Sequence, residues 1–324
     1  MNQITEKDKE ILYHLDINSR RPLRQIAYEI NLPENTLRYR VEKLEGKKII
    51  SNYYTLINSY RLGINSLKFY TRFKNINSKI KNDIVSYMIE HKDTWLVCED
   101  EGEFDFTAIF WIRNIHDFYK SWQQVLNRYS KYFLNPILYF QVEAISFKPT
   151  YLVNVDKREK NEPFEISKTG LIVNIDNIDK KILELLATNA RLPTINISSI
   201  LKLSSNVIKS RIKKLVAKDI IQAYRINFDI SKLGYLKIKT DIFLNEYKYQ
   251  KKIIDYIGSC PYLVCIMKSI GYSHLELEFD VKSLSHFHEI ISDLIDNNTD
   301  AINNYSYSQI LRTHKLRWIP KMID

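Results

Sequence analysis

Apolar and polar residues change period twice along this chain, and each time in the same order. Thr5, three residues before Asp8, makes a capping arrangement, and Ile11, Leu12 and Leu15 follow at helical spacing, which predicts a helix over 6–17. Pro22 opens a second short helix with Leu23, Ile26, Ala27 and Ile30 as its inner stripe, ended by Asn31, Leu32 and Pro33. A third helix over 34–45 turns Leu37, Val41 and Leu44 inward at steps of four and three. Three short helices with a tight turn between the last two form a helix-turn-helix pattern. Tyr53, Tyr54, Leu56 and Ile57 then predict a strand, either a wing or a connector leaving the helices. In that strand's neighbourhood Lys47, Lys48 and, in the second copy, Arg225 are candidates for phosphate contacts.

Beyond Gly63 the period shortens to two. The pattern predicts a strand at 66–74, a helix at 77–91, strands at 94–101 and 104–112, a helix at 115–133 and a strand at 136–147. That order, βαββαβ, is the ferredoxin-like sandwich, whose sheet carries helices on one face only. Ile109, Phe110, Trp111 and Ile112 make one strand apolar on both faces, so the open face needs a cover.

The same sentence is then written again. Sliding residues 8–63 onto 179–234, a shift of 171 without a gap, leaves about a third of the positions identical, among them Asp8, Leu12, Arg20, Pro22, Asn35, Arg40, Lys43, Tyr53 and Gly63. A period this long marks a duplicated domain set, since solenoid repeats run about 20 to 50 residues. The second sandwich is expected from strands at 235–244, 262–269, 274–281 and 304–313 and helices at 247–257 and 284–296. There Leu275, Leu277, Phe279 and Val281 alternate with Glu276, Glu278 and Asp280, one face apolar and the other acidic. The fold class is α+β: two copies of a winged helix-turn-helix followed by a ferredoxin-like βαββαβ (RAM-type) sandwich. The expected units are 1–60, 61–152, a polar linker over 153–174 with Pro163 and Gly170, then 175–231 and 232–324. A linker of about 20 residues reaches roughly 65 Å, so the sandwiches pair either within the chain or with other chains.

Charge singles out the repeated helical unit. Of a net +10 over 324 residues, +3 lies in 1–63 and +6 in 175–235. A surface meant for a polyanion is partitioned in this way, whereas a general solubility surplus is not. On a helical wheel the third helix presents Asn35, Arg38, Tyr39 and Glu42 opposite its apolar stripe, flanked by Thr36 and Lys43. The second copy presents Asn206, Lys209, Ser210 and Lys213, flanked by Val207 and Lys214, with Ser205 at its start. Asn, Arg, Lys, Ser, Thr and Tyr reach base edges and phosphates. Arg40 and Arg211, at the edge of the stripe, either clamp a phosphate or brace the fold. The expected partner is double-stranded DNA, and the two unequal contact sets predict unequal half-sites.

Other chemistry is scarce. Seven glycines leave neither a phosphate loop nor a nucleophile elbow. Cys98 and Cys265, in the echoed strings WLVC and YLVC, read as small buried strand residues, and Cys260 to Cys265 lacks zinc spacing. His274, His286 and His288 lack ligand partners at metal spacing, so no metal, cofactor or catalytic residue is expected. Neither a long apolar run nor a signal-peptide pattern occurs, and a cytoplasmic location without a membrane partner is expected.

The string LPENTLRYRVEKLEGKKII at 32–50, its echo LSSNVIKSRIKKLVAKDII at 203–221, and Leu62-Gly63 with Leu233-Gly234 resemble the Lrp/AsnC (feast/famine) family of transcription regulators. Gly102 followed by Phe104-Asp105 is similar to the family's glycine and aromatic-Asp pair, whereas Gly271 is followed by Ser273-His274. The resemblance implies a DNA-binding regulator whose sandwiches associate sheet to sheet, as an intrachain pseudo-dimer or a homo-oligomer. It also implies a small effector such as an amino acid, with Gly102 and Asp105 as the effector-binding candidates. Two alternatives share the pattern: a sirohaem decarboxylase and a protein-binding scaffold. The decarboxylases carry an Arg-rich string after the third helix and a His-Asn-Tyr segment; here the corresponding places read IISNYY and IIQAYR, and no His-Asn-Tyr occurs.

Overall fold

A computed structural model describes residues 4–153, 164–168 and 170–319. Helix α1 (Glu6–Ile17) opens on a reciprocal capping box, in which Asp8 N–H donates to Thr5 Oγ1 at 3.2 Å and Thr5 N–H to the Asp8 carboxylate at 3.0 Å. Next come α2 (Leu23–Glu29), α3 (Glu34–Gly46) and β1 (Ile50–Ile57). The first sandwich holds β2 (Asn65–Phe73), α4 (Ser78–Glu90), β3 (Thr94–Gly102), β4 (Phe106–Ile112), α5 (Ile115–Tyr129) and β5 (Phe133–Ser146). After β6 (Glu165–Lys168), the second helical unit is α6 (Asn177–Thr188), α7 (Thr194–Leu201), α8 (Ser205–Ala217) and β7 (Ile221–Phe228). The second sandwich is β8 (Leu236–Leu244), α9 (Gln250–Ile257), β9 (Leu263–Ile270), β10 (Leu275–Val281), α10 (Leu284–Asp296) and β11 (Ile302–Leu316).

The two sandwiches pair within the chain. Their strands join in the order β2-β4-β3-β11-β8-β10-β9-β5, and β5 returns to β2, so eight antiparallel strands close on themselves. The last strand of each copy makes the join. Residues 133–141 of β5 pair with β2, and residues 140–146 run on to pair with β9 of the other copy. In the same way β11 pairs with β8 and then, from Ser308, with β3. This is why β11 runs past the end that periodicity predicts, to Leu316: its last residues belong to the other copy's sheet, whereas the extra residues of β5 lie at its start and pair with β2. Closure also removes the open strand edges that each sandwich has alone. Part of the expected linker joins the sheet, with β6 pairing along the end of β5 from Glu143 to Ser146, while residues 154–163 and 169 lie outside the described residues.

Each sheet's outer face meets its own helices. Phe106, Ala108 and Phe110 pack with Val85 and Met88 of α4 and Trp122 of α5, and Leu275, Leu277 and Phe279 pack with Ile253 of α9 and Phe287 of α10. The inner faces meet each other, and there the acidic face of β10 is buried. Glu276 accepts from Lys68 Nζ at 2.6 Å, from Tyr70 Oη at 2.6 Å and from Tyr139 Oη at 2.5 Å, all three from the first copy. Lys68 and Glu276 side chains are 0% and 1% exposed. Lys239, the repeat of Lys68, donates to Thr107 at 3.2 Å and lies 3.3 Å from the centre of the Tyr70 ring. Thr107 in turn donates to Asp100. Each inner lysine is thus answered by the opposite copy, once by a glutamate on β10 and once by an aspartate on β3 reached through a threonine.

The helical units are cross-braced. β1 pairs antiparallel with β7, so the strand after the third helix is a connector between copies. The braces come in pairs related by the 171-residue shift. Ser19 N–H donates to Tyr224 O at 2.7 Å and Ala190 N–H to Tyr53 O at 3.0 Å; Asn58 N–H donates to Ile220 O and Asp229 N–H to Ile49 O, both at 2.9 Å. Arg20 lies over the Tyr224 ring and Arg191 over the Tyr53 ring. Such reciprocity is that of an isologous dimer contact, here within one chain. One brace breaks it: Arg225 pairs with Asp16, both buried, while their repeat positions hold Tyr54, stacked on Trp318, and Ala187.

Burial and the neighbouring Glu276 carboxylate push Asp241 up to about 7, although the Lys239 ammonium and Ser273 Oγ, which donates at 2.6 Å, oppose the shift. An acid whose folded pKa is raised is carried most cheaply when protonated. Stability therefore falls as pH rises from the ordinary aspartate range near 4 to about 7 and is level above. Asp241→Asn should gain on the unsubstituted protein by roughly 1 kcal/mol per pH unit across that window, measured by urea unfolding at a series of pH values. An advantage that does not change with pH would contradict it. Arg225→Met leaves Asp16 charged and buried without its partner, and the same unfolding measurement should show a loss of about 3–5 kcal/mol.

Candidate nucleic-acid interface

The third helices α3 and α8 stand outside this framework. Leu37, Val41 and Leu44 bury the inner side of α3, and Ile208 and Leu215 that of α8. On the outer side Asn35, Thr36, Arg38, Tyr39 and Lys43 are exposed, as are Asn206, Lys209, Ser210, Lys213 and Lys214. Tyr39 is 64% exposed, a large aromatic with no core to fill. Arg38 pairs with Glu34 one turn back at 3.1 Å.

Four sequence candidates sit differently. Arg40 reaches back to Asp8 at 2.8 Å and Thr5 at 3.2 Å, and Arg211 reaches Asp176 at 2.7 Å and Asp179 at 2.8 Å. Both tie a third helix to the start of the first helix of its unit, the bracing role. Accordingly Asp8 and Asp176 are held below the usual aspartate range: around Asp8, burial is outweighed by hydrogen bonds from Thr5 and Arg40, and Asp176 is lowered chiefly by the Asp179 N–H. Ser205 is half-buried in the first turn of α8, where the neighbouring Ser204 makes the cap by accepting from Val207 N–H at 3.4 Å. Arg225 is no phosphate contact, since it is buried against Asp16. Lys47 and Lys48 are exposed, and their carbonyls accept from Lys232 at 3.0 Å.

Gly102 and Asp105 form a turn. Gly102 has φ +132°, and a Cβ there would come within 2.5 Å of Tyr307 O on β11, so only glycine lets the two strands meet. Asp105 accepts from Phe73 N–H at 2.7 Å and closes the end of β2. The histidines are likewise engaged: His274 Nδ1 accepts from Leu244 N–H at 3.0 Å, and His286 Nδ1 from Lys282 N–H at 3.3 Å. Among the described residues no group of three His, Cys, Asp or Glu is placed to hold a metal ion, and no helix is long and apolar enough to cross a membrane. Burial pushes the Cys98 and Cys265 thiols up to about 12, which leaves both inert. The inner lysines and Glu276 were missed as a group in the sequence. The signal was there in part, because a strand with a regular acidic face needs cations opposite.

Comparison with known proteins bears on both helical units. Residues 4–45 match the AsnC-type helix-turn-helix domain, and residues 175–222 match a winged helix-turn-helix DNA-binding model. The first helical unit is thus of the AsnC type, and the chain resembles the Lrp/AsnC regulators. The HTH-type transcriptional regulator LysM of Sulfurisphaera tokodaii is 32% identical over 89 residues, 27% of this chain and 64% of that one. LrpA of Pyrococcus abyssi is 41% identical over 61 residues, 19% and 43% of the two chains. The regulatory protein AsnC of Haemophilus influenzae is 27% identical over 123 residues, 38% and 82% of the two. The match thus spans under two thirds of the length of LysM and of LrpA. A solved structure, the siroheme decarboxylase NirDL, shares the whole fold with a TM-score of 0.64 over 98% of this chain and 95% of its own, at 11% identity. The paired arrangement of this chain therefore also occurs in a protein named as an enzyme, and the fold alone does not separate the two readings.

Replacing Arg40 by Ala should lower unfolding stability by about 1 kcal/mol, because the half-buried pair with Asp8 and the support of its cap are lost together. Lys43→Ala, on the open face, should stay within about 0.5 kcal/mol. Equal losses in urea unfolding would show that Arg40 braces nothing.

Proposed function

We propose that the chain is a sequence-specific double-stranded DNA-binding transcriptional regulator, with α3 and α8 as the groove-facing helices. The observation that carries this is the pairing of position with charge. Nine of the ten excess positive charges fall in the two helical units, and on both third helices the polar side chains that can reach bases or phosphates are the ones left in solvent. The cross-braced β1–β7 pair presents both helices from one rigid body, as a dimer of separate chains would. The AsnC-type match of residues 4–45 and the regulators named above support the same reading. It assigns no catalytic step to the chain. It also assigns no effector to Gly102 and Asp105, whose backbone freedom and carboxylate are taken up by the turn.

The decarboxylase reading is favoured by one finding, the fold shared with NirDL over nearly the full chain. Against it stand the exposed polar faces of both third helices and an inter-sheet space occupied by Lys68, Tyr70, Tyr139, Lys239 and Glu276.

Fluorescence anisotropy with labelled duplex DNA tests the proposal. Binding should weaken linearly in log–log form as salt rises, with a slope of about 0.9 per phosphate contacted. Absence of duplex binding at about 50 mM salt, together with a shifted Soret band on adding an iron tetrapyrrole, would replace the regulator by the enzyme.

A further inference from the structure

The surfaces of α3 and α8 differ in charge as well as in side-chain identity. On α3, Arg38, Arg40 and Lys43 are balanced by Glu34, Glu42 and Glu45; on α8, Lys209, Arg211, Lys213 and Lys214 face no acidic residue of the same helix. Arg40 and Arg211 are each neutralised by the first helix of their unit. That leaves Arg38, held by Glu34, and Lys43 on α3, against Lys209, Lys213 and Lys214 on α8. Among the described residues none of those three lysines has a carboxylate within ion-pair distance, and Lys218 lies exposed just beyond them.

The uncharged side chains differ in the opposite sense. Where α3 offers Asn35, Thr36 and Tyr39, α8 offers Asn206, Val207 and Ser210, so a hydroxyl and a phenol are replaced by an apolar group and a short hydroxyl. Val207 is 41% exposed with no core role, and Tyr39 is 64% exposed. Amides and hydroxyls on a face with little net charge discriminate base edges. Lysines act on phosphates as mobile point charges and carry little base information.

Resting on the DNA-binding reading, we propose that the two helical units divide its labour. The second is an electrostatic anchor, α8 gripping the sugar-phosphate backbone of duplex DNA with little regard to sequence; the first is the reader, α3 setting sequence preference at one half-site. The β1–β7 pair makes the division useful, because it holds the two helices in one body and delivers α3 to a groove at a fixed offset from the anchor. Glu42 and Glu45 sharpen the reader by repelling phosphates, so α3 binds only where base contacts compensate.

Two variants of the full chain test this: Lys209→Ala with Lys213→Ala and Lys214→Ala, and Asn35→Ala with Tyr39→Ala. All five positions are exposed, and thermal unfolding checks that the fold is kept. Duplexes selected from a random pool are titrated over a salt series, and selection is repeated with each variant. The anchor variant should lose about three counterions from the salt slope while its selected motif stays the same. The reader variant should keep its slope to within about one counterion and lose preference at one half-site. Should the triple variant fail to fold, Lys213→Ala alone should lower the slope by about one. Equal slope losses in the two variants, or a selected motif with two equal half-sites, would overturn the division while leaving DNA binding intact. No binding by the unsubstituted chain overturns both.

Discussion

An ammonium and a carboxylate from opposite halves of the chain, Lys68 and Glu276, are shut between two sheets with essentially no solvent. Neither is tolerable there without the other, because the cost of desolvating either charge alone is several kcal/mol. Burial by itself would raise the Glu276 pKa, yet the ammonium groups of Lys68 and Lys239 hold it well below the usual glutamate range. Tyr70 and Tyr139, which donate to the same carboxylate, have their hydroxyls pushed well above the usual tyrosine range, chiefly by burial and then by Glu276. The seam is therefore a cluster that is satisfied only when copy one faces copy two. Much else follows from this, since the facing of the sheets places the long last strands where each can cross to the other copy and close the ring.

Closure has a consequence at the far end of the molecule. Once the sandwiches are fixed face to face, the strands that lead into them, β1 and β7, run side by side and pair. Each then lies beneath the other copy's helices: Ile226 of β7 packs in the first helical core and Ile57 of β1 in the second. The two third helices, α3 and α8, are thus joined through a continuous, hydrogen-bonded frame. Duplication inside one chain allows what two identical chains cannot, namely unequal halves in a two-fold arrangement. Evidence of that freedom is seen in the Asp16–Arg225 pair, present on one side and replaced on the other by Ala187 and the Tyr54–Trp318 stack. It is also seen in the charge of α8 against that of α3.

Local order was legible from periodicity. The first helix was expected at 6–17 and runs Glu6–Ile17, because Thr5 and Asp8 cap it and Ile11, Leu12 and Leu15 stripe it. α10 matches its expected span at Leu284–Asp296 for the same kind of reason, with Ser283 accepting from His286 N–H as its cap. Differences arise where a segment answers to distant partners. β11 outruns its expected end because the other copy's β3 supplies the hydrogen bonds there. α9 starts at Gln250, later than its apolar pattern suggests, after a single tight turn over Tyr247–Tyr249. Arg225, on a strand beside the helices, looks like a phosphate contact until its burial against Asp16 is seen, a partner 209 residues away.

What the sequence determined by itself is the list of elements, their twofold repetition and the side chains that each helix offers outward, since these depend on spacings of two to four residues. Whether the sandwiches pair within the chain or between chains was open on sequence grounds, because a linker of that length permits both. Tertiary structure decided it, through the burial of an acidic strand face against lysines of the other copy. It also turned Arg40 and Arg211 from possible phosphate clamps into braces, because only the fold brings Asp8, Asp176 and Asp179 within reach of them. Short-range pattern specifies what a segment is; long-range charge pairing in a low-dielectric seam specifies which segments meet.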